Sequence, residues 1–196
     1  MKQKFDIIES TCVPVRIDNL DTDQIIPARF LKQTLRDEAF YGQRLFCDRR
    51  FDSDGRPKPD FPLNDSRYGG CILLAGANFG SGSSREHAAW ALAGAGFRVV
   101  VSSSFADIHR QNELNNFVLP VQVTPGFLND LFDAVEADPT TLVRVDVPAQ
   151  TISFPGHCES FEIDAYKKIC LMNAQDDIDY LLSTIESIES YEKSHC

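Results

Sequence analysis

A glycine-rich segment between two strongly patterned stretches constrains the fold of this chain more than any other feature. The segment spans residues 76–88 and contains three glycines. Residues 71–75 before it are apolar and have the length of a buried strand. Residues 88–93 after it are rich in alanine and leucine, which favour a helix. The pattern predicts a strand, a glycine loop and a helix start, and a second apolar strand at 97–102 completes a β-α-β unit.

The predicted helix start has the properties of an anion-binding site. Ser83 and Glu86 have the spacing of a capping box, which predicts Ser83 as the N-cap. A helix N-terminus offers free backbone N–H groups and a partial positive charge. Arg85 falls in the first turn, where a cation is unfavourable, and its planar guanidinium is suited to holding a carboxylate by two hydrogen bonds. A bound anion would explain this arginine.

Three familiar glycine-loop motifs do not match this segment. In the dinucleotide-binding fingerprint, Arg85 stands where a third glycine or alanine is needed. No Gly-Lys-Ser/Thr sequence follows, as a phosphate-binding P-loop requires. A nucleophile elbow centred on Ser84 would end at Glu86 instead of glycine. The remaining combination of two serines, an arginine and free amides is suited to binding a carboxylated small molecule and to activating a serine.

The composition argues against several classes of partner. A length of 196 residues suits one domain, spanning 1–196. The net charge of −10 argues against binding to nucleic acid. No apolar segment is long enough to span a membrane, and the N-terminus lacks the apolar core of a signal peptide, so a cytoplasmic location is predicted.

The cysteines indicate a reducing compartment and no metal centre on this chain. All six are far apart, with no C-x-x-C pair and no cysteine–histidine cluster of zinc or iron–sulfur spacing. Free thiols are therefore predicted, and any metal that the chemistry needs is expected on another chain.

Residues outside the glycine loop also carry patterns of regular structure. Apolar runs predict further strands at 5–15, 118–123, 142–147, 151–154 and 160–164. Helical periodicity predicts helices at 28–40, at 125–137 with Thr124 as N-cap, and within a C-terminal helix and tail at 174–196 capped by Asp176 or Asp177. The apolar stripe of the last helix is expected to pack on the chain itself. Residues 42–68 are interpreted as an ordered loop excursion, and His109 as a structural or surface histidine.

Four motifs in fixed order resemble one protein family. They are residues 21–27 (Asp-Thr-Asp-Gln-Ile-Ile-Pro), 78–88 (Asn-Phe-Gly-Ser-Gly-Ser-Ser-Arg-Glu-His-Ala), 104–108 (Ser-Phe-Ala-Asp-Ile) and 116–120 (Asn-Phe-Val-Leu-Pro). Together they resemble the swivelling domain of the aconitase superfamily, and within it the bacterial-type small subunits of 3-isopropylmalate dehydratase. The resemblance covers nearly the whole chain, including an excursion at 46–64 that archaeal-type subunits lack. It implies an α/β fold, a swivelling three-layer β/β/α domain of the aconitase C-terminal type.

The resemblance also implies a division of labour between two chains. A large subunit would hold a 4Fe-4S cluster through three cysteines, and this chain, with no cofactor of its own, would complete the active site of a heterodimer. The implied reaction interconverts 2-isopropylmalate and 3-isopropylmalate by loss and re-addition of water, in leucine biosynthesis. Ser83 would be the base that removes the proton, while Ser84 and Arg85 would bind a carboxylate of the dicarboxylate substrate.

Substrate choice is expected in the loop that follows the Asp-Thr-Asp motif. In relatives this loop meets the variable part of the substrate, which here implies Arg29, Phe30 and Leu31. Phe30 and Leu31 suit an isopropyl group. Arg29 and the nearby Lys32 are cations that suit a further substrate carboxylate, so a substrate with one more carboxylate stays an alternative. A homoaconitase or a methylmalate/citraconate hydro-lyase, a non-catalytic dicarboxylate-binding module and a nucleotide-dependent oxidoreductase therefore stay as alternatives. Ser83 as helix cap and Ser83 as base are competing roles.

Overall fold

Two four-stranded sheets stack face to face in this chain, for which a computed structural model describes residues 3–32 and 37–195. One sheet is parallel, in the order β2-β3-β4-β5, and the other is antiparallel, in the order β1-β6-β7-β8. The strands are β1 Ile7–Ser10, β2 Cys12–Val15, β3 Ile72–Ala75, β4 Val99–Ser102, β5 Leu119–Gln122, β6 Val143–Asp146, β7 Thr151–Phe154 and β8 His157–Ser160.

Helices cover the parallel sheet and extend the chain at its C-terminal end. They are α1 Thr22–Ile25, α2 Glu38–Gly42, α3 Cys47–Arg50, α4 Glu86–Gly94, α5 Asp107–Asn115, α6 Pro125–Ala137, α7 Ala165–Asn173, α8 Asp177–Ser183 and α9 Ile185–His195. Short 3-10 helices lie at Ala28–Phe30 and Pro62–Asn64. Across the described ranges no helix combines the length and the apolar content that crossing a membrane would require.

The parallel sheet is buried on both faces, and this makes three layers. Ile72 and Leu74 of β3 point into a core shared with Val145 of the antiparallel sheet and with α6. Leu73, between them, points into a second core shared with Leu92 of α4. Alternate residues of one strand thus serve two cores, as expected for a parallel strand covered on both sides. The predicted three-layer β/β/α arrangement is confirmed.

Several predicted elements are confirmed with small shifts in their bounds. The strands at 71–75, 97–102 and 118–123 are β3, β4 and β5, and α4 joins the first two in a parallel β-α-β unit. The helix at 125–137 is α6, where Thr124 accepts a hydrogen bond from the amide of Phe127 at 3.3 Å. Local pattern was sufficient here because propensity, capping and burial agree.

The strand predicted at 5–15 is instead two strands in different sheets. The chain crosses from β1 to β2 at Thr11, where the hydroxyl of Ser10 accepts a hydrogen bond from the amide of Cys71 at 2.9 Å. Gly70 packs so closely here that a Cβ on it would lie 2.3 Å from the carbonyl oxygen of Thr11. Pro14 lies in β2, at the edge of the parallel sheet, as its missing N–H predicts.

The single helix predicted at 28–40 is also wrong. The chain forms a 3-10 turn at Ala28–Phe30, and Asp37 is extended and accepts a hydrogen bond from the amide of Phe40 at 3.0 Å, which begins α2. An aspartate favours an N-cap over a helix interior, and this preference separates the two elements. Leu35, named in the predicted apolar face, lies outside the described residues.

The C-terminal part differs most from the prediction. The strand predicted at 160–164 is instead β8 at 157–160, because a tight turn at Gly156 returns the chain early, and Asp164 caps α7. Asp176 caps α8 with a capping box, as predicted, but the helix ends near Thr184 and α9 follows. The apolar stripe was expected to pack on the chain, yet it is 45–64% exposed at Ile178, Leu181, Leu182, Ile185 and Ile188.

Aromatic side chains tie the segment 42–68 to the second core. Phe46 and Phe61 are buried there, with ring centroids 5.9 Å apart. Phe46 has a left-handed backbone, with φ of 53°, and stands directly before α3. The segment begins at Gly42, the last residue of α2. Helix α2 crosses α4, the helix after the glycine loop, at Gly42 and Gly94.

The contact between α2 and α4 requires glycine at position 94. A Cβ there would lie 1.8 Å from the carbonyl oxygen of Glu38. We expect Gly94→Ala to lower the free energy of unfolding by about 2 kcal/mol, because the helices must separate. The matched control is Gly126→Ala in α6, where a Cβ meets open space; it should raise stability by about 0.5 kcal/mol. Urea unfolding followed by circular dichroism measures both, and unchanged stability of Gly94→Ala would contradict the close contact.

Candidate active site

The glycine loop lies at the carboxyl edge of the parallel sheet, between the segments that follow β2 and β4. The amide of Ala77 donates to the carboxylate of Asp18 at 2.7 Å. On the other side, the amide of Asn78 donates to the hydroxyl of Ser104 at 2.8 Å. Gly76 allows the entry, because a Cβ on it would lie 2.4 Å from the carbonyl group of Ile17. Parallel strands bring these three segments to one edge, where sites of α/β proteins are found.

Backbone hydrogen bonds hold the middle of the loop. The amide of Gly80 donates to the carbonyl of Leu20 at 2.8 Å, and the amide of Ala106 donates to the carbonyl of Phe79 at 2.9 Å. Thr22 binds the loop twice, through its amide to the carbonyl of Ser81 and through its hydroxyl to the carbonyl of Ser83, both at 2.9 Å. The Asp-Thr-Asp motif therefore both caps α1 and shapes the loop.

Ser83 does not cap the helix, which corrects the capping-box prediction. Helix α4 begins at Glu86, and its N-cap residue is Arg85, whose side chain makes no capping bond. Glu86 instead accepts a hydrogen bond from the side-chain amide of Asn116 at 3.0 Å. Ser83 and Ser84 are exposed, and within residues 3–32 and 37–195 neither side chain is engaged in a hydrogen bond. The competition between cap and base therefore does not arise for Ser83.

Arg85 is held at the helix start by a carboxylate of this chain. Its side chain is 15% exposed and forms a short ion pair with Asp23. The hydrogen bond and charge of Arg85 hold the pKa of Asp23 below its usual range. Asp23 also accepts a hydrogen bond from the amide of Ala28 at 3.2 Å. It thereby connects the predicted carboxylate-binding arginine to the start of the predicted specificity loop. Sequence reasoning did not single out Asp23 as this partner.

The predicted specificity residues lie along a separate groove. Arg29 forms a short ion pair with Asp48, and its guanidinium lies 4.7 Å from the ring centroid of Phe30. Arg29 and Phe30 line a groove of about 760 Å³ with residues of segment 42–68, while Ser83, Ser84 and Arg85 are not among its lining residues. Leu31 follows at the end of the 3-10 turn and is half-buried. The two halves of the predicted site therefore adjoin through Asp23 and do not share a cavity.

A buried pair of titratable residues lies under the loop. His109 and Glu113 of α5 are 2% and 0% exposed, and Nε2 of the imidazole lies 3.0 Å from Oε1 of the carboxyl. His109 is thus a structural histidine, as one of the predicted alternatives had it. Burial raises the pKa of Glu113, and the charge of His109 offsets part of that rise. The i, i+4 spacing of a histidine and a glutamate is the sequence signal that could have identified the pair.

The possible metal ligands among the described residues are not gathered at one place. Among the described residues, no three histidine, cysteine, aspartate or glutamate side chains group in a way that could hold a metal ion. The described cysteines are free thiols.

Comparison with known proteins defines the class first. Residues 2–126 match the model of the aconitase C-terminal domain, and residues 129–165 match a model described as LeuD_N. A crystal structure of 3-isopropylmalate dehydratase (leuD) from Methanocaldococcus jannaschii superimposes with a TM-score of 0.64 at 25% identity, covering 95% of this chain and 99% of that one. The fold is therefore that of an aconitase C-terminal domain, as predicted.

Closer relatives define the family. A 3-isopropylmalate dehydratase small subunit of Cytophaga hutchinsonii is 57% identical over 98% of this chain and 96% of its own length. The protein of the same name from Christiangramia forsetii is 54% identical over 97% of this chain and 93% of its own length. The chain belongs to the family of 3-isopropylmalate dehydratase small subunits, which confirms the predicted resemblance.

The raised pKa of Glu113 makes stability depend on pH. The folded state holds this proton more tightly than the unfolded chain, whose carboxyl has the ordinary pKa of 4.5. The free energy of unfolding should therefore fall as pH rises above that value and through the folded-state pKa. Glu113→Gln removes the titration. Urea unfolding between about pH 5 and pH 8 should show a smaller fall for the variant, and equal slopes would contradict the assignment.

Proposed function

We propose that this chain is the small subunit of an isopropylmalate isomerase. Joined to a large subunit as a heterodimer in the cytoplasm, it interconverts 2-isopropylmalate and 3-isopropylmalate by loss and re-addition of water, in leucine biosynthesis. The names of its relatives support the reaction. The observation that carries the assignment to this chain's residues is an exposed, unengaged Ser83 two positions before a half-buried arginine at a helix start.

Ser83 is proposed as the base that removes the proton next to a substrate carboxylate. Serine needs a stabilised alkoxide to do this at neutral pH. Two features support this role. The hydroxyl of Thr22 donates to the carbonyl of Ser83 at 2.9 Å and fixes its backbone, and the N-terminus of α4 lies nearby. Free N–H groups and the partial positive charge of that helix end favour a developing negative charge. Exclusion of water by the large subunit would strengthen the same interactions.

Arg85 and Ser84 are proposed to bind a substrate carboxylate. Arg85 already holds a carboxylate, that of Asp23, in an ion pair. Because Asp23 is more than half exposed, a substrate carboxylate can share or replace it at the guanidinium. The internal partner keeps the arginine in place while the site is empty of substrate.

The specificity residues favour an apolar substituent on the substrate. Arg29 forms an ion pair with Asp48, and a further substrate carboxylate would have to share or displace that partner. Phe30 and Leu31 then provide apolar surface next to the groove. This arrangement supports isopropylmalate over a homoaconitase substrate with a further carboxylate. A methylmalate/citraconate substrate is the second candidate, because it is also apolar at this position.

The chemistry of a cluster is assigned to the partner. The described residues lack a set of ligands for a 4Fe-4S cluster. The name small subunit, carried by the relatives, supports a large partner that holds it. We assign this chain the proton transfer and carboxylate binding only.

Turnover by the reconstituted enzyme tests the function. We expect the chain and a cluster-loaded large subunit to form the unsaturated intermediate isopropylmaleate, followed by its ultraviolet absorbance, when mixed but not separately. Ser83→Ala should lower kcat by about a thousandfold with KM within about threefold, because the lost group acts in the transition state. The control Ser81→Ala, in the same loop, should keep normal turnover.

Two alternatives give different results in that assay. Substrate binding with no turnover would support a non-catalytic dicarboxylate-binding module. Tight binding of a dinucleotide by this chain alone, measured by calorimetry, would support a nucleotide-dependent oxidoreductase. Either result contradicts the proposal.

Arg85→Lys should weaken substrate binding. Lysine keeps the charge but cannot form two parallel hydrogen bonds with a carboxylate. We expect KM to rise about tenfold with a smaller change in kcat, measured in the reconstituted enzyme. Arg56→Lys is the matched control, since Arg56 is exposed and paired with Asp54. An unchanged KM for Arg85→Lys would remove the arginine from the binding site.

A further inference from the structure

The buried pair His109–Glu113 is costly, and packing alone does not explain it. Burying ionisable groups is unfavourable unless their polar atoms are satisfied. Nε2 of His109 and Oε1 of Glu113 approach to 3.0 Å, yet neither ring nitrogen nor either carboxyl oxygen forms a hydrogen bond of good geometry with any described residue. Two apolar side chains would fill this position on α5 at lower cost. A reason for the pair is therefore to be sought in what the imidazole touches.

The imidazole lies directly against the glycine loop. A Cβ on Gly80 would fall 2.0 Å from Cδ2 and 2.1 Å from Cγ of His109. The ring also meets Phe79 edge to face, with centroids 5.3 Å apart. On its other side, Gly80 is hydrogen-bonded to Leu20 at 2.8 Å. The loop is thus held between the segment that follows β2, to which it is hydrogen-bonded, and the imidazole of His109.

Helix α5 reaches both ends of the segment that carries Ser83. Its first turn follows Ala106, which is hydrogen-bonded to Phe79, and places His109 under Gly80. At its C-terminal end, Asn116 donates to the carboxylate of Glu86 at 3.0 Å. Ser83 stands midway between these two attachments.

We propose that His109, oriented by Glu113, is a positioning residue that fixes Gly80 and thereby sets where the hydroxyl of Ser83 stands. As a claim about catalysis it rests on the proposed function, because Ser83 must react for its position to affect turnover. The carboxyl of Glu113 keeps the ring from rotating away from Gly80. The imidazole does not touch the substrate and transfers no proton in the reaction.

Two substitutions at Glu113 test the orientation of the ring. Glu113→Gln keeps a polar group beside Nε2, while Glu113→Leu has a similar volume and no polar group there. In the reconstituted heterodimer we expect Glu113→Leu to lower kcat by about tenfold with KM unchanged, because small misplacements of a reacting group are costly. The kcat of Glu113→Gln should stay within about twofold of that of the unmodified enzyme. Normal kcat for Glu113→Leu would overturn the proposal.

Hydrogen exchange supplies a readout that does not need turnover. In the full-length chain, Glu113→Leu should speed amide exchange in residues 77–88 and leave the amides of α6 protected. Equal exchange in the loop of both variants and the unmodified chain would overturn the proposal. Absence of turnover by the unmodified heterodimer would instead count against the proposed function, while the exchange result still decides the positioning role.

A double-mutant cycle tests the contact itself. Gly80→Ala should lower kcat by about a hundredfold, because its Cβ collides with the ring. In the background His109→Ala the same change should cost less than about tenfold, because the collision is removed and only the strain of the left-handed backbone, with φ of 76° at Gly80, is left. Equal losses in both backgrounds would contradict the contact. If His109→Ala does not fold, the Glu113 variants, which retain the ring, decide the question.

Discussion

The parallel pairing of β2, β3 and β4 is the constraint on which the site depends. Strands that run side by side in one direction end at one edge, so the segments following Val15, Ala75 and Ser102 must meet there. Their backbones then satisfy one another, with amides of the glycine loop bonded to both neighbours. The backbone of the loop is therefore held on both sides. The hydroxyls of Ser83 and Ser84 are exposed, where the loop turns outward.

Charge at this edge is balanced inside the chain. Arg85 carries its positive charge at a helix N-terminus, which is unfavourable without an anion. Asp23 supplies one, and it comes from the same motif whose threonine holds the loop. One short segment thus sets both the shape of the loop and the electrostatic balance of its arginine. The overall acidity of the chain makes such local pairing necessary wherever a cation is to stay available to a ligand.

Sequence patterns predicted the parts of the fold in which several signals agree. For α6, a proline after Thr124, an apolar stripe and a stop at Asp138 all indicated the same helix. Helix α5 escaped prediction because its buried positions are His109 and Glu113, so that no apolar periodicity marks its inner face. The strand at 5–15 was misjudged because sheet membership depends on contacts with residues near 70 and 146, which no local pattern contains.

The site itself was predictable as a set of residues but not as a geometry. The glycine spacing and Arg85 identified the loop, while the cap at Ser83 failed because Thr22, 61 residues earlier, binds its carbonyl. The pairing of Arg85 with Asp23 and the contact of His109 with Gly80 could be found only from contacts across the edge. The inner and outer surfaces of the loop differ in how they are packed. Its inner side is closed by a buried pair, and its outer side leaves two serine hydroxyls unengaged. That asymmetry supports the proposal that a partner subunit completes the site from the outer side.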